Sequence, residues 1–169
     1  LRRGHEVVGV DTDAQTVTVE SPSGRTEQPY SDLLIGTGAH AVTAPFDGTD
    51  ARGVFTMHGL DSAAALRAYL DEPAAVDADT LPEYVDRSLV ERYGELARPE
   101  TVAIVGGGYV GVEMAEAFDA NDVDVHLFQR SDRVLPPFGE AVGDAVCERL
   151  AEKGVALHLG TEVDGLDGE

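Results

Sequence analysis

The residues best placed to do chemistry lie in one short run, Gly106-Gly107-Gly108-Tyr109-Val110-Gly111. Its spacing fits G-x-G-x-x-G, a pattern that can hold a dinucleotide pyrophosphate. The first glycine makes a tight turn, the second lets bare backbone approach the anion, and the third lets a helix pack close to a strand. The phosphate then rests on unpaired N–H groups at the helix N-terminus, where the dipole favours negative charge. The motif means little outside a strand–turn–helix context, and that context is present: TVAIV precedes it and an amphipathic stretch follows. Gln129 and Arg130 fall about 20 residues beyond the turn, where an acid ordinarily binds the ribose hydroxyls. Gln129 can still hydrogen-bond a ribose hydroxyl, but it would not repel a 2′-phosphate. Arg130 could grip that phosphate with its guanidinium fork. Asp132 opposes this and Arg133 offsets it, so the site reads as mixed, leaning to NADPH or dual use. Plain surface charge is the competing account of both arginines. Glu113, in the first helical turn, complements the dipole.

The elements that must position these residues follow from periodicity. Apolar TVAIV predicts a buried strand over 101–105, and 109–120 a helix with Val110, Met114, Ala117 and Phe118 toward the sheet. Val123, Val125 and Leu127 alternate along a second strand. A second helix is expected over 139–153, with Val142, Ala145, Val146 and Leu150 inward and Gly154 as its C-cap. Val155, Leu157 and Leu159 make a third strand. This β-α-β-α-β order implies a parallel sheet. Upstream, 6–11, 16–20 and 25–29 read as a three-stranded meander with turns at 11–15 and 21–24. Leu33-Leu34-Ile35 reads as a buried strand running into the backbone-tight loop Gly36-Thr37-Gly38. A short strand is expected at 54–56 and a helix at 60–70. The segment 71–100 reads as an exposed acidic insertion with helical spacing over 84–96 (Val85, Leu89, Val90, Tyr93).

Composition narrows the function. There are 32 acidic against 12 basic residues, a net charge of −20, and Lys153 is the only lysine. Such a field repels nucleic acid and anionic lipid. The acid excess reads either as a well-solvated acidic surface or as that of a halophilic protein, in whose cytoplasm dense counterions would screen self-repulsion; scarce lysine and few aromatics lean the reading to the second. No apolar run reaches the roughly 18 residues of a membrane span, and no signal peptide is visible. The single cysteine, Cys147, forms no disulfide within the chain and reads as a buried, inert thiol of a reducing, cytoplasmic protein. His5, His40, His58, His126 and His158 lack metal-ligand spacing, so no metal site is expected.

Two motifs stand in fixed order, YSDLLIGTGA at 30–39 and VAIVGGGYVGVEMAEAF at 102–118, with GVFTMHGLDSAAALRAYL at 53–70 between them. On these the chain resembles the FAD-dependent pyridine nucleotide–disulfide oxidoreductases, most nearly the branch of coenzyme A-disulfide reductases, NADH oxidases and NADH peroxidases. The resemblance covers most of the chain outside 71–98. It implies an α/β fold, a Rossmann-like βαβαβ NAD(P) domain preceded by the β-meander and final strand of an FAD domain. The implied boundaries are 1–43 for the tail of the first FAD-domain segment, 44–100 for the connector with its helix and acidic insertion, and 101–169 for the first part of the NAD(P)-binding domain.

The resemblance also implies an activity: hydride passes from NAD(P)H to FAD and on to a disulfide, peroxide or oxygen, a small-molecule acceptor, in a homodimeric full-length enzyme. A dinucleotide-binding fragment without turnover, and a ferredoxin-reductase-like or quinone-directed NAD(P)H dehydrogenase, remain open. By the same resemblance Thr37, Gly38 and Ala39 fall on the second FAD motif, and Val7, beside Glu6, on the strand edge that meets the adenine. Ser31 and Gly36 depart from the family's usual Asp and Ala without blocking that role. Tyr109 would cover the flavin and swing away for the nicotinamide, and Glu113 would pair with an FAD-domain lysine that this sequence does not contain. No catalytic residue is expected within these 169 residues. The family's N-terminal FAD fingerprint and redox cysteine are not among them, so the chain alone is expected to be inactive.

Overall fold

The computed structural model describes residues 1–43, 46–70, 80–82 and 85–167. The chain divides into two compact units, Leu1–Ala39 and His40–Glu169.

The first unit is an antiparallel meander of β1 (Glu6–Asp11), β2 (Thr16–Ser21) and β3 (Gly24–Pro29), in the order β1-β2-β3. Asp11 sets the first turn, where its carboxylate accepts from the backbone N–H groups of Asp13 and Ala14 at 2.9 and 2.8 Å. Gly24 turns the second with φ of 113°, a conformation that disfavours any side chain. Val17 and Val19 on the middle strand are buried. The strand expected at 33–35 does not form: Leu34 is 94% and Ile35 69% exposed, without strand structure. A buried strand needs partners for its backbone and cover for its faces, and among the described residues no strand pairs with this run.

In the second unit the parallel sheet has the order β4-β5-β6, built from β4 (Thr101–Val105), β5 (Asp124–Gln129) and β6 (Ala156–Leu159). Helix α3 (Tyr109–Asp119) joins β4 to β5, and α4 (Glu140–Glu152) joins β5 to β6, after a short 3-10 turn at Pro136–Phe138. Val125 and Leu127 point to the helix side and are buried with Ala115, Phe118 and Leu150. Gly154 ends α4 with φ of 89°. Lys153 and Asp119 tie α4 to α3 through a 3.0 Å ion pair.

Several expected faces shift. β4 is an edge strand rather than a buried one, because β5 covers only one of its sides; Val102 and Ile104 are half-buried and Val105 is exposed. On α3 the inward residues are Ala115 and Phe118, backed by Val112 and Met114, while Val110 is exposed. A small residue suits this face, since the helix approaches the sheet closely. On α4, Leu150 and the half-buried Val146 face the core, but Val142 and Ala145 are exposed and Gly143 is buried in their place.

The strand expected at 54–56 is irregular chain; the Phe55 ring instead packs, tilted, against Tyr93 and Tyr69, with centroids 4.1 and 5.4 Å away. Helix α1 spans Leu60–Leu70, as its periodicity predicts, and α2 spans Arg87–Gly94. Most of 71–84 lies outside the described residues, and Tyr84 with it. The remainder is not an exposed insertion: Val85, Val90 and Tyr93 are buried with Ala65 and Ala68 of α1. Asp86 caps α2, its carboxylate accepting from the Ser88 and Leu89 N–H groups. These bonds, the Ser88 hydroxyl first, hold the Asp86 carboxyl below its ordinary range.

Candidate functional site

The glycine run closes β4 and opens α3. Gly106 takes φ of 111°, so the chain turns where an L-residue would be strained. Its N–H donates to the Phe128 carbonyl at 2.9 Å, which ties the turn to β5. Gly111 shows the close approach of helix and strand: a Cβ there would lie 1.9 Å from the Gly106 carbonyl oxygen. Gly108 is the opposite case, since a Cβ there would meet nothing within 4 Å. Gly108 therefore presents bare backbone to open space at the N-cap of α3, with no side-chain cap. The first helical N–H groups have no intrahelical partners. An anion over Gly108 would satisfy them, and the cradle fits a pyrophosphate.

Gly107 has a different task. It is buried, and a Cβ there would meet Val134 at 3.0 Å and Gln129 at 3.2 Å. Its N–H donates to Gln129 Oε1 at 2.9 Å, and its carbonyl accepts from the Leu135 N–H at 2.7 Å. Gln129 is thus partly spent on the turn itself rather than held free for a ribose. Because its Oε1 must face the Gly107 N–H, its Nε2 turns the other way and donates to Ser131 Oγ. Ser131 in turn donates to the Arg133 carbonyl at 2.9 Å.

The two arginines separate clearly. Arg133 pairs with Asp132 at 3.2 Å and Glu140 at 3.3 Å. The Asp132 hydrogen bond, with the charges of Asp132, Glu140 and Asp144, holds its guanidinium above the ordinary value. Arg133 is therefore committed to carboxylates of this chain, and Asp132 with it. Arg130 is exposed and, among the described residues, has no ion pair or hydrogen bond. Tyr109 is 64% exposed and Glu113 is exposed, both on the first turns of α3.

Sequence reasoning missed Val134, which is fully buried beneath Gly107 and Gly143, and Ser131 and Leu135, which join the loop to the turn. Three consecutive glycines, where the pattern requires only two, were the available signal that something packs on the middle one. In the first unit, Thr37, Gly38 and Ala39 are exposed irregular chain; Gly38 has φ of 76° and open space where a side chain would stand. Val7 is 55% exposed. These residues present backbone that a cofactor can approach. Among the described residues, no group of three or more His, Cys, Asp or Glu is placed to hold a metal, and no helix is long and apolar enough to cross a membrane. Cys147 is half-buried rather than sealed in the core.

The family model described as pyridine nucleotide-disulphide oxidoreductase matches residues 1–169. The NAD(P)H coenzyme A polysulfide/persulfide reductase of Pyrococcus horikoshii is 32% identical over 170 residues, covering 100% of this chain and 32% of that protein. The water-forming NADH oxidase of Lactobacillus brevis, solved with NADH bound, is 25% identical with a TM-score of 0.68, over 98% of this chain and 32% of that one. An engineered NADPH-using mutant of the same oxidase, solved with NADPH, is 24% identical with a TM-score of 0.68, over 98% of this chain and 32% of that one. The chain thus spans about a third of the length of the relatives it matches.

Proposed function

The chain belongs to the pyridine nucleotide-disulphide oxidoreductases, and from that premise we propose that it supplies the first part of the NAD(P)H site, and a piece of the FAD site, of a flavin-dependent reductase or oxidase. The observation that carries this reading is the glycine turn: Gly108 lies open at the N-terminus of α3 while Gly111 is closed against Gly106. That contrast is what a pyrophosphate site requires and what a purely steric turn does not. Bound FAD would take hydride from the nicotinamide and deliver electrons onward to a disulfide, peroxide or oxygen. The chain's own residues bind and orient. Gly108 and the α3 N-terminus hold phosphate, Tyr109 covers the flavin until the nicotinamide arrives, Glu113 sits on the nicotinamide side, and Val7, Thr37, Gly38 and Ala39 meet the FAD.

The reading extends to NADPH, with NADH as a second substrate. Arg130 is free to take a 2′-phosphate, no acid stands at Gln129 to repel one, and the Asp132 charge is paired with Arg133. The Lactobacillus brevis oxidase was turned to NADPH by changes that include Asp→Ala, Ala→Arg and Met→Ser at consecutive positions. This chain reads Gln129-Arg130-Ser131 at the acid-free end of β5.

The full-length protein, purified from the cytoplasm, is expected to be a yellow homodimer whose flavin is bleached anaerobically by NADPH and more weakly by NADH. A colourless protein, or a bound flavin that neither nucleotide reduces, would overturn the proposal, and a monomer on light scattering would remove the dimer from it. The net charge of −20 adds a high-salt setting. The melting temperature should rise steeply between low and molar salt as the acidic surface is screened. A melting temperature independent of salt would count against a halophilic protein.

A further inference from the structure

Arg130 is exposed and unpartnered among the described residues, yet the chain on either side of it is tied down. The Gln129 carbonyl, in the peptide that leads into Arg130, accepts from the Thr161 N–H at 3.1 Å. The Ser131 carbonyl accepts from the Gly160 N–H at 2.9 Å. Both donors lie just past β6, so the continuation of that strand holds the loop by its backbone.

The Ser131 side chain adds a further tie, and its direction is determined. The Gly107 N–H donates to Gln129 Oε1 at 2.9 Å, which turns Gln129 Nε2 toward Ser131 Oγ. An amide nitrogen only donates, so Ser131 Oγ accepts from it. A hydroxyl has one proton to give, and Ser131 gives it to the Arg133 carbonyl at 2.9 Å. The half-buried hydroxyl thus braces the loop from 129 to 133, across Arg130. With its donor spent, it has nothing to offer a 2′-phosphate unless the bond to Arg133 breaks.

We propose that Ser131 is a positioning residue for cofactor choice: its hydroxyl, held between Gln129 and Arg133, fixes the backbone that carries Arg130 and does not touch the dinucleotide. This role rests on the dinucleotide reading above, with Arg130 as the group that meets the 2′-phosphate. A guanidinium that grips phosphate must be ordered, and so must the chain that carries it. Where that chain is already fixed, more of the contact's free energy appears as affinity. Loss of the hydroxyl releases Gln129 Nε2 and the Arg133 carbonyl, and the loop gains freedom that NADPH must then remove. NADH has no 2′-phosphate and does not call on Arg130. The same relay accounts for an amide at 129. A carboxylate there could only accept, so it would draw the Ser131 proton to itself and release the Arg133 carbonyl.

The test is the NADPH-to-NADH ratio of apparent affinities in flavin reduction by the full-length protein. It compares the natural protein, Ser131→Ala, Arg130→Ala and the double variant. Ser131→Ala should lower the ratio by about fivefold or more. In the Arg130→Ala background the same change should leave the ratio within about twofold, because no guanidinium remains to be positioned. A hydroxyl that donated directly to phosphate would lower the ratio again in that background, and this result overturns the positioning role. A ratio unchanged by Ser131→Ala, in a natural protein that binds both nucleotides, overturns this role alone. Should Ser131→Ala not fold, Ser131→Cys, close in size and weak in hydrogen bonding, gives the same two comparisons. A ratio unchanged by Arg130→Ala removes the phosphate from Arg130, and the role of Ser131 with it. A natural protein that binds neither nucleotide overturns the dinucleotide reading itself, and one that binds NADH alone overturns the 2′-phosphate reading; Ser131 loses its role in both cases.

Discussion

Gly111→Val is expected to cost both nucleotide binding and stability, whereas Gly108→Val should cost binding alone. At Gly111 the first added carbon would lie 1.9 Å from the Gly106 carbonyl oxygen, 3.0 Å from its carbon and 3.5 Å from Ile104. The obstacle is backbone, which cannot swing aside like the end of a side chain. Either α3 moves away from β4 or the turn is distorted, and overpacking of this kind costs about 1–3 kcal/mol. Both movements displace the N–H groups that should meet the pyrophosphate. Affinity for NAD(P)H should therefore fall by about 100-fold, some 2.7 kcal/mol, together with a lower melting temperature. At Gly108 the backbone is ordinary, with φ of −74°, and an added carbon meets nothing. That variant should melt like the natural protein and yet bind poorly, because the side chain occupies the anion's place. Calorimetric titration and thermal melts of both variants check the pair. Unimpaired binding by Gly108→Val would remove the pyrophosphate from this turn.

Arg130→Ala should shift nucleotide preference rather than overall affinity. A charge-assisted guanidinium–phosphate contact is among the stronger hydrogen-bonded pairs, and Arg130 is unpaired within the described chain. Removing it should weaken NADPH by about tenfold or more, at least 1.4 kcal/mol, while NADH changes by less than about twofold. Arg133→Ala is the matched control. Arg133 already spends its charge on Asp132 and Glu140, and its aliphatic stem lies against Gly143. Its loss should lower the melting temperature more than it alters the NADPH-to-NADH ratio. The ratio of apparent affinities in the flavin-reduction reaction decides between them. An unchanged ratio in Arg130→Ala assigns no phosphate to that residue.

The repeating elements were legible from sequence because each had a clear period and an end signal. Helix α1 was bounded to the residue, and β4 likewise. The alternation of Val123, Val125 and Leu127 named the core of the sheet correctly. What hydrophobicity misjudged were the places where close approach outweighs apolar character. Val110 looked more core-like than Val112 or Ala115, yet the contact made possible by Gly111 admits small residues and leaves Val110 outside. Gly143 is buried and Val142 is not, because the Val134 carbonyl would stand 2.8 Å from any Cβ at 143. Val134 itself was hidden in the polar-looking run RSDRVLPPF, where no period exists to be read. Leu33-Leu34-Ile35 was a strand by composition, but hydrogen-bonded neighbours make a strand, and none pairs with it here.

The Gly107 peptide is gripped on both sides, by the Gln129 amide at its N–H and by the Leu135 N–H at its carbonyl. Val134 fills the space between. On the proposed reading, the turn that would meet the cofactor's phosphates and the loop that would distinguish its two forms are therefore one mechanical body. Cofactor choice in this chain is not a detachable module. A loop transplanted from a relative of opposite preference would carry away the struts of the glycine turn, so the preference could be rewritten only by changes that leave Gln129, Val134 and Leu135 in place.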